Sequence, residues 1–316
     1  MTIVFYSYVI LHNEPVVDNK KNNKVRILAI IVSYNFEPWL ERNLNSLINS
    51  EHPVSILVID NLSSDQTVQH IRNEYPEVHL ITNTKNLGFG AANNIGLQMA
   101  IDEGFDAVFL LNQDAWIDRK TIGTLASLSL KDPSIGILSP VHLNGIGNYY
   151  DKGFADYTQL NSLDELSQLD EFINVPFINA AFWLIPVKVL KVVGLFCPLF
   201  YHYGEDKDYI NRLIYHGFTV GYSPHVFGYH DREQREVNEE ALFRSDKVYF
   251  FTEYVNIRYS FLKAFILAVV APLKKVLFHM RKRNLKKAWQ YLGLSLSCLA
   301  KTPAAMRYRR VNKKGG

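Results

Sequence analysis

The sequence predicts an α/β protein built on an open, mostly parallel β-sheet that is flanked by helices. Short β-branched apolar runs alternate with segments of helical periodicity as far as Leu111. The runs are nearly continuous in apolar residues, which is typical of parallel strands buried on both faces. Sheets of this kind bind their ligands at the carboxyl ends of the strands, so polar residues at those ends are the candidates for function.

The predicted elements alternate in type and are short. Apolar residues at helical spacing identify the helices, and β-branched runs identify the strands. We expect Ser63, Ser64 or Asp65 to cap the second helix. In order, the elements are strand Arg26–Tyr34, helix Pro38–Ser50, strand Ser55–Asp60, helix Ser63–Tyr75, strand Val78–Thr82, helix Gly90–Glu103 and strand Ala107–Leu111. Residues 140–175 are rich in glycine and polar residues, which predicts loops that bind something variable.

Length and composition describe a folded globular protein. The chain has 316 residues, of which 48% are hydrophobic and 21% are charged. This length suits one large domain with an appendage, or two modest domains. Its two cysteines, Cys197 and Cys298, lack the spacing of a zinc or redox site. We therefore expect two packing thiols in a reducing compartment.

The net charge of +3 conceals an asymmetry along the chain. From residue 240 onward there are 17 Lys and Arg against 3 Asp and Glu, which gives +14. The preceding residues hold 17 basic and 28 acidic side chains, which gives −11. An acidic body with a basic tail predicts attachment to something anionic, either nucleic acid or a lipid surface.

The tail from Phe250 interleaves basic residues with Leu, Phe, Trp and Tyr, and it is predicted to be helical. No stretch reaches the roughly 20 apolar residues that span a bilayer. A basic helix with an apolar face lies in the membrane interface, whereas the alternatives are packing onto the catalytic domain or a nucleic-acid contact. Because the apolar density exceeds what phosphate binding needs, we expect an anionic membrane partner and no nucleic acid.

Three carboxylates occupy residues 204–208 (GEDKD), directly after the aromatic, apolar run at residues 196–203 (FCPLFYHY). We expect the run to be buried and the acidic cluster to lie at the edge of a pocket. Neighbouring carboxylates raise one another's pKa, and a partly desolvated one remains a usable base at neutral pH.

Two other segments are candidates for nucleotide contacts. Asp60 ends the second strand, where it can accept a base N–H or a ribose hydroxyl. Its alternative role is a helix cap, which Ser63 or Asp65 already fills, so we expect Asp60 to be free. Residues 86–96 (NLGFGAANNIG) do not match a dinucleotide fingerprint, because Asn93 replaces the third glycine. They predict a turn into a helix beside a nucleotide, with Asn93 and Asn94 as polar contacts.

A metal site is suggested by Asn112-Gln113-Asp114, which closes an apolar strand. Hard cations accept few protein ligands and take the rest from phosphates and water, so one carboxylate can suffice. The alternative is an ordinary turn. His230 stands alone in the sequence, and a single histidine is more often structural than a ligand.

Together these segments resemble family 2 glycosyltransferases, most closely the bacterial rhamnosyltransferase-like branch. The motifs are IIVSYN (30–35), Asp60, NLGFGAANNIG (86–96), NQD (112–114), GEDKD (204–208) and His230, within about residues 26–232. The resemblance implies a GT-A fold and inversion at the anomeric carbon of a nucleotide sugar, such as a dTDP- or UDP-sugar, with rhamnose as the candidate sugar. It also implies a glycan or lipid-linked glycan acceptor in surface polysaccharide synthesis.

The resemblance also implies a role for each matching residue. Asp206 is the general base and Glu205 orients the acceptor, while Asp114 and His230 bind Mn²⁺ or Mg²⁺. Asp208 caps the following helix or pairs with Arg212. Asp60 binds the base, and the other donor-binding residues are Ser33, Asn35, Asn86, Gly88, Asn93 and Asn112.

The sequence departs from the family pattern at two positions. Asn112 replaces the first acid of a full DxD motif, and Gln113 stands where the rhamnosyltransferase-like proteins usually have proline. Weaker metal binding is the expected consequence.

Two other functions compete with this interpretation. A nucleotidyltransferase also uses a nucleotide, Mg²⁺ and an α/β sheet, but it needs a basic phosphate loop that IIVSYNFEPW does not offer. A non-catalytic nucleotide-sugar or membrane-binding module would have a broken Glu-Asp pair, and here Glu205 and Asp206 are intact.

The predicted organisation has three parts. Residues 1–24 are an N-terminal extension and linker, which lacks the basic region and cleavage site of a signal peptide. Residues 25–240 form the catalytic domain, and residues 241–316 form the basic amphipathic helical tail. We expect a cytoplasmic enzyme held peripherally on the inner face of the cell membrane.

Overall fold

The computed structural model describes residues 25–232 and 239–315. The predicted extension at residues 1–24 lies outside this range. The described residues form two compact units: the first contains residues 25–190 and Thr219–Arg232, and the second contains Lys191–Phe218 and residues 239–315. The domain boundary that we expect at residue 240 remains a prediction. In the structure, Lys191–Phe218 belongs with the tail.

A single mixed sheet forms the centre of the first unit. Its spatial order is β3-β2-β1-β4-β8-β6-β9-β5, and β7 pairs with β9. The first four strands in this order are parallel, whereas β8 runs antiparallel to β4 and β6. The strands are β1 (Ile27–Ser33), β2 (Ser55–Asp60), β3 (His79–Thr82), β4 (Ala107–Leu111), β5 (Ala115–Ile117), β6 (Ile135–Asn144), β7 (Ile173–Asn174), β8 (Phe182–Pro186) and β9 (Thr219–His230).

Helices connect these strands, and their apolar sides complete the core. The central strands are buried along nearly their whole length, as their continuous apolar runs predict. A helix packs closely where Gly96 meets Ile30, since a Cβ at Gly96 would lie 2.8 Å from Ile30 Cδ1. The helices before residue 200 are α1 (Leu40–Ile48), α2 (Thr67–Glu74), α3 (Phe89–Asp102), α4 (Thr121–Lys131), α5 (Lys152–Thr158) and α6 (Val187–Val193).

The predicted open, mostly parallel sheet flanked by helices is confirmed, with local differences. The second helix begins at Thr67 and not at Ser63, because Ser63 hydrogen-bonds Asp60 while Asp65 accepts from the Thr67 amide at 3.1 Å. The segment at residues 140–175 is more regular than predicted. It contains the end of β6, α5 and a 3₁₀ helix at Leu163–Gln168.

The second unit is helical, and its core joins the segment before residue 218 to the tail. Cys197 and Phe200 pack in one buried cluster with Phe251, Tyr254 and other tail residues. Both cysteines are buried, as expected of packing thiols. The helices are α7 (Glu205–Tyr215), α8 (Glu239–Val255), α9 (Phe261–Phe265), α10 (Ala271–Arg281), α11 (Leu285–Ala300) and α12 (Thr302–Asn312). A π-helical turn at Ile266–Val270 joins α9 to α10.

The aromatic run before α7 is buried only in part, which corrects the prediction. Phe196, Cys197 and Phe200 are buried, but Tyr201 and Tyr203 are 64% and 50% exposed. The chain turns here at Gly204, whose φ is +93° and whose Cβ would lie 2.8 Å from Phe200 Cε1. The turn directs the apolar side chains inward and leaves the later aromatic side chains in solvent.

The tail is helical, as predicted. Basic residues recur along it, and it contains both buried aromatic residues and exposed aliphatic ones. Over residues 25–232 and 239–315, no helix combines the length and apolar character that crossing a membrane requires.

Candidate active site

The predicted donor-binding residues follow the carboxyl ends of parallel strands at one edge of the sheet. Ser33 at the end of β1 is paired in register with Asp60 at the end of β2, and Asp60 with Thr82 at the end of β3. β4 ends beside them, directly before Asn112. The topology thus brings the motifs of four separate strands to a common edge.

Asp60 is buried and hydrogen-bonded, so the expectation that it is free was wrong. Its Oδ1 accepts from Ser33 Oγ at 3.0 Å and from Ser63 Oγ, and its Oδ2 accepts from the Ser63 amide at 3.0 Å. Ser63 does not cap α2, and it is therefore available to bind Asp60. A carboxylate has about four acceptor sites, so three bonds leave capacity for a further donor.

Asn35 ties the loop after β1 to the loop after β2. The backbone amide of Asn35 donates to Ser63 Oγ at 2.9 Å, and its side-chain Oδ1 accepts from the backbone amide of Ser64 at 2.9 Å. Its φ of +53° lies in the left-handed region, which asparagine tolerates better than most residues. The structure therefore fixes Asn35 next to Asp60 through shared partners on the following loop.

The loop at residues 86–88 is anchored by Asn61, which the sequence analysis did not select. Asn61 Nδ2 donates to Asn86 Oδ1 at 3.1 Å, and Asn61 Oδ1 accepts from the Leu87 amide at 3.0 Å. Gly88 precedes α3 with a φ of +78°. The position of Asn61 directly after Asp60 at a strand end was a signal that could have found it.

Asn93 is buried inside α3, and its Nδ2 donates to the Phe89 carbonyl at 3.0 Å. Its predicted contact with a nucleotide is not supported by this position, because the amide already serves the helix. The turn into a helix expected at residues 86–96 is present, since α3 begins at Phe89.

The turn that carries Asp114 is held from two sides. Asn43 on α1 is fully buried, and its Nδ2 donates to the carbonyls of Asn112 and Ala115 at 2.8 and 2.6 Å. Gln113 pairs with the backbone of Tyr34, accepting from its amide at 2.7 Å and donating to its carbonyl at 3.1 Å. Gln113 thus links the predicted metal motif to the end of β1.

Asp114, Asn112 and His230 converge at this edge, although His230 lies more than 110 residues further along the chain. His230 Nε2 is 3.2 Å from Asp114 Oδ1 and 3.5 Å from Asn112 Nδ2. The pairing of β5 with β9 sets this contact, because Ala115 is in register with His230. His230 is 1% exposed and Asp114 is 28% exposed, so one ligand candidate is rigidly held and the other faces outward.

The two carboxylates next to His230 raise the pKa of its imidazole. Burial alone would lower the pKa of His230, but the hydrogen bond with Asp114 and the nearby carboxylate of Asp151 outweigh burial and raise it. Asp151 Oδ2 lies 3.5 Å from His230 Nδ1, on the opposite side of the ring from Asp114. The imidazole is therefore held between two acids, of which only Asp114 was predicted from the sequence.

The chemistry of the donor set at Asp114 and His230 would suit a divalent cation, because a carboxylate oxygen and an imidazole nitrogen lie 3.2 Å apart. The described parts of the chain contain no group of three or more His, Cys, Asp or Glu side chains that could hold a metal ion. Such a cation would therefore take its other ligands from phosphates and water.

The predicted base lies in the second unit, in the first turn of α7. Glu205 and Asp208 are buried, and Asp206 is partly buried. Burial, with the charges of Asp206 and Asp208, raises the pKa of Glu205 to about 7. Acidic residues in the first turn of a helix interact favourably with its dipole, which helps to hold this cluster together.

Asp208 pairs with Arg212, which was one of its two predicted roles. Arg212 Nε donates to Asp208 Oδ2 at 3.0 Å, and both side chains are fully buried. The guanidinium also donates to the carbonyls of Val193 and Leu195 at 2.5 and 2.8 Å. This network fixes the start of α7, so Asp208 supports the helix that presents Asp206.

Comparisons with known proteins identify the family of the chain. The family model "Glycosyl transferase family 2" matches residues 28–194. The dTDP-rhamnosyl transferase RfbF of Shigella flexneri is 30% identical over 207 residues, which are 63% of this chain and 67% of the relative. The N-acetylglucosaminyl-diphospho-decaprenol L-rhamnosyltransferase of Mycobacterium tuberculosis is 35% identical over 131 residues, or 39% of this chain. The match spans 43% of the length of that mycobacterial relative.

The fold also recurs in a solved structure. The mannosyltransferase PcManGT of Pyrobaculum calidifontis, in complex with GDP-Man and Mn²⁺, has a TM-score of 0.58 and 19% identity, covering 92% of this chain and 84% of the other. The GT-A-like fold is thereby confirmed. The match over residues 28–194 spans the strands whose ends carry Asp60 and Asp114, and the two relatives described above are named as rhamnosyltransferases, in agreement with the resemblance. The chain therefore belongs to glycosyl transferase family 2.

Proposed function

We propose that this protein is an inverting glycosyltransferase that moves a sugar from a nucleotide-sugar donor to a hydroxyl of a glycan or lipid-linked glycan. The observation that carries the proposal is the convergence of Asp114, Asn112 and His230 within 3.5 Å at the strand edge that also holds Asp60. Membership of the family supports a glycosyl transfer, and the edge supplies groups for both a nucleotide and its diphosphate.

The donor we propose is a dTDP- or UDP-sugar, with rhamnose as the sugar. Support for rhamnose comes from the names of the two curated relatives, one of which is a dTDP-rhamnosyl transferase. Asp60 would accept from the base, and Asn35 and Asn86 would shape the loops around the nucleoside. Ser33 is buried behind Asp60, so its role would be to orient that carboxylate.

Asp114 and His230 would hold Mn²⁺ or Mg²⁺. When bound, the cation supplies positive charge for the departing diphosphate. Asn112 lacks a charge, and its amide lies 3.5 Å from His230, so we assign it to the donor and not to the metal. The presence of Mn²⁺ with GDP-Man in the mannosyltransferase supports a divalent cation by analogy.

Asp206 would take the proton from the acceptor hydroxyl as that oxygen attacks C1 of the sugar. Such base catalysis typically contributes about 10²–10⁴-fold. The new C–O bond forms on the face opposite the leaving diphosphate, which inverts the anomeric carbon. Glu205 is buried with a pKa of about 7, so it is largely protonated below neutral pH and can donate a hydrogen bond to the acceptor.

We also propose that the second unit binds an anionic membrane, on the inner face of the cell membrane in the cytoplasm. One face of the helix that runs from α9 to α10 exposes aliphatic side chains at spacings of three and four residues, while Ala264 and Ala268 on the other face are fully buried. This membrane stripe comprises Leu262, Ile266, Val270, Leu273, Leu277 and Met280, which are 38–68% exposed.

Basic residues flank the membrane stripe, and each adds about 1 kcal/mol near an anionic leaflet. Lys274, Lys275, Arg281, Lys282 and Arg283 lie on or directly after α10. Placement at the membrane would suit a lipid-linked acceptor in surface polysaccharide synthesis, because that substrate cannot leave the bilayer.

Substitution tests the membrane proposal better than deletion of the tail, because the tail shares a core with Phe200. Leu277→Asp should reduce sedimentation with anionic liposomes. Leu130→Asp is the matched control, since Leu130 is an exposed leucine in the first unit. Equal sedimentation of both variants and the wild type would contradict the proposal. Loss of binding in high salt alone would show that charge, and not insertion, dominates.

A panel of nucleotide sugars tests the enzymatic proposal. We expect Mn²⁺-dependent release of nucleoside diphosphate from one dTDP- or UDP-sugar, and thermal stabilisation of the protein by that donor. Release of sugar 1-phosphate, the product left when the nucleotidyl group of the same donor is transferred, would indicate a nucleotidyltransferase instead. Stabilisation without turnover, in the presence of a hydroxyl acceptor, would indicate a non-catalytic binding module.

A further inference from the structure

Asp151 is a buried acid in the first unit to which the proposed mechanism gives no role. It follows β6, is 4% exposed, and caps α5 by accepting from the Phe154 amide at 3.1 Å through Oδ1. Its own amide donates to the His142 carbonyl at 2.9 Å. With its backbone held by β6 and one oxygen held by α5, Asp151 directs its second oxygen, Oδ2, toward His230.

The contact with His230 involves the ring nitrogen that faces away from Asp114. Asp151 Oδ2 is 3.5 Å from Nδ1, whereas Asp114 Oδ1 is 3.2 Å from Nε2. A carboxylate beside one imidazole nitrogen favours the proton on that nitrogen and leaves the lone pair on the other. By the same rule Asp114 favours the proton on Nε2, so Asp151 is the acid that opposes it and favours the form of His230 whose Nε2 lone pair is free for a ligand.

The neighbouring histidine does not compete for this carboxylate oxygen. His142 Nε2 is paired with Ser139 Oγ at 2.7 Å, and its ring packs between Phe154 and Phe182. His230 itself is 1% exposed and packs edge-on against Phe182. The ring of His230 is thus confined by packing, and the choice of its tautomer falls to the two acids.

We propose that Asp151 is a positioning residue, which holds His230 in the tautomer and orientation that bind a divalent cation together with Asp114. This inference rests on the proposed function, because it requires that Asp114 and His230 bind the cation. It adds a residue from the segment after β6 to a site otherwise built from the ends of β4 and β9. Its action is indirect, since Asp151 contacts the imidazole and not the cation.

Asp151→Asn separates capping from positioning. The asparagine Oδ1 can still accept from the Phe154 amide, but its Nδ2 would donate toward His230 Nδ1 and favour a proton on Nε2. We expect the affinity for Mn²⁺, measured calorimetrically in the presence of UDP or dTDP, to fall by about 10–100-fold. Affinity for the nucleotide without metal should stay within about twofold of the wild type. Asp151→Ser, which also keeps a good helix cap, should lose Mn²⁺ affinity in the same way.

Two controls distinguish positioning from support of the fold. Ser162→Ala removes the cap of the neighbouring 3₁₀ helix and should lower the melting temperature without changing Mn²⁺ affinity. The double variant Asp151→Asn/His230→Ala should bind Mn²⁺ no more weakly than His230→Ala, because Asp151 acts through the imidazole. A further loss in the double variant would overturn the inference.

The outcome also separates this inference from the proposed function. Wild-type affinity for Mn²⁺ in Asp151→Asn would overturn the positioning role alone and leave the metal site standing. Absence of Mn²⁺ binding by the wild-type protein with both nucleotides would overturn the metal-dependent function, and the inference with it.

Discussion

Tyr308 donates a hydrogen bond of 2.6 Å to the carboxylate of Asp208, which lies 100 positions earlier in the chain. The same carboxylate oxygen accepts from Arg212 at 3.0 Å. Asp208 and Arg212 are fully buried, so the phenol of Tyr308 adds a hydrogen bond to the carboxylate of an ion pair that water does not reach. A helix of the basic tail thereby stabilises the helix that carries the predicted base.

Tyr308→Phe tests this contribution. The substitution removes one hydrogen bond to a buried charge, and we expect the free energy of unfolding to fall by about 1–3 kcal/mol. Urea unfolding of the variant and the wild type measures the difference. Tyr249→Phe, at a half-exposed position on α8, is the control and should have little effect. An unchanged unfolding midpoint in Tyr308→Phe would show that the hydrogen bond is dispensable.

Glu205→Gln should change how stability depends on pH. Burial, with Asp206 and Asp208, raises the pKa of Glu205 from 4.5 to about 7 in the folded protein. Between these values the folded state retains a proton that the unfolded state has lost, so stability decreases as pH rises and the contribution is gone above pH 7. The loss is about 3 kcal/mol in order of magnitude.

The measurement for Glu205 is unfolding of both proteins at about pH 5 and about pH 8. Relative to the wild type, Glu205→Gln should be more stable at the higher pH than at the lower, because glutamine does not ionise. A difference in stability that stays constant with pH would contradict the raised pKa.

Asp206→Asn should abolish transfer while donor-nucleotide affinity stays within a few-fold of the wild type. Removal of a base lowers kcat and leaves ground-state donor binding largely intact. Steady-state kinetics and nucleotide titration give the two quantities separately. Glu240→Gln, at an exposed position on α8, is the matched control. Near-normal turnover in Asp206→Asn would move the assignment to Glu205 or Asp208.

Metal dependence should respond more to Asp114→Ala than to His230→Ala. A carboxylate is the better ligand for a hard cation, so Mn²⁺-dependent donor binding should weaken most when Asp114 is lost. Melting temperatures are needed beside the titrations, since removal of His230 also leaves the buried Asp151 without its partner. Full activity in excess EDTA would exclude both residues from the metal role.

The sheet was predictable because its strands carry local signals. The β-branched runs predicted β1, β2 and β4 nearly at their observed bounds. The polar residues that end or follow these strands identified Asp60 and Asp114 as candidates. Their proximity follows from parallel pairing alone. His230 required the family resemblance, because its neighbour Asp114 is more than 110 residues away and an isolated histidine carries no spacing to interpret.

The residues that were not predicted act through contacts between segments that are far apart in the sequence. Asn43 resembles an ordinary polar residue of an amphipathic helix, yet it holds the turn of Asp114 from α1. Asp151 lies among glycines that suggested only a loop. Tyr201 and Tyr203 are exposed next to a turn at Tyr203 and Gly204, whose positive φ values their residue types do not predict.

The shared core of the second unit constrains how this protein could be recombined with its relatives. The charge of the chain changes from acidic to basic near residue 240, which would suggest a junction there. A chimera joined at that point would take Phe200 and Phe251 from different proteins, and likewise Asp208 and Tyr308. An intact exchange must carry Lys191–Phe218 together with the tail, as two segments with three junctions. Transfer of the side chains of the membrane stripe alone would not separate these pairs, because those side chains are exposed to solvent and the buried residues stay unchanged.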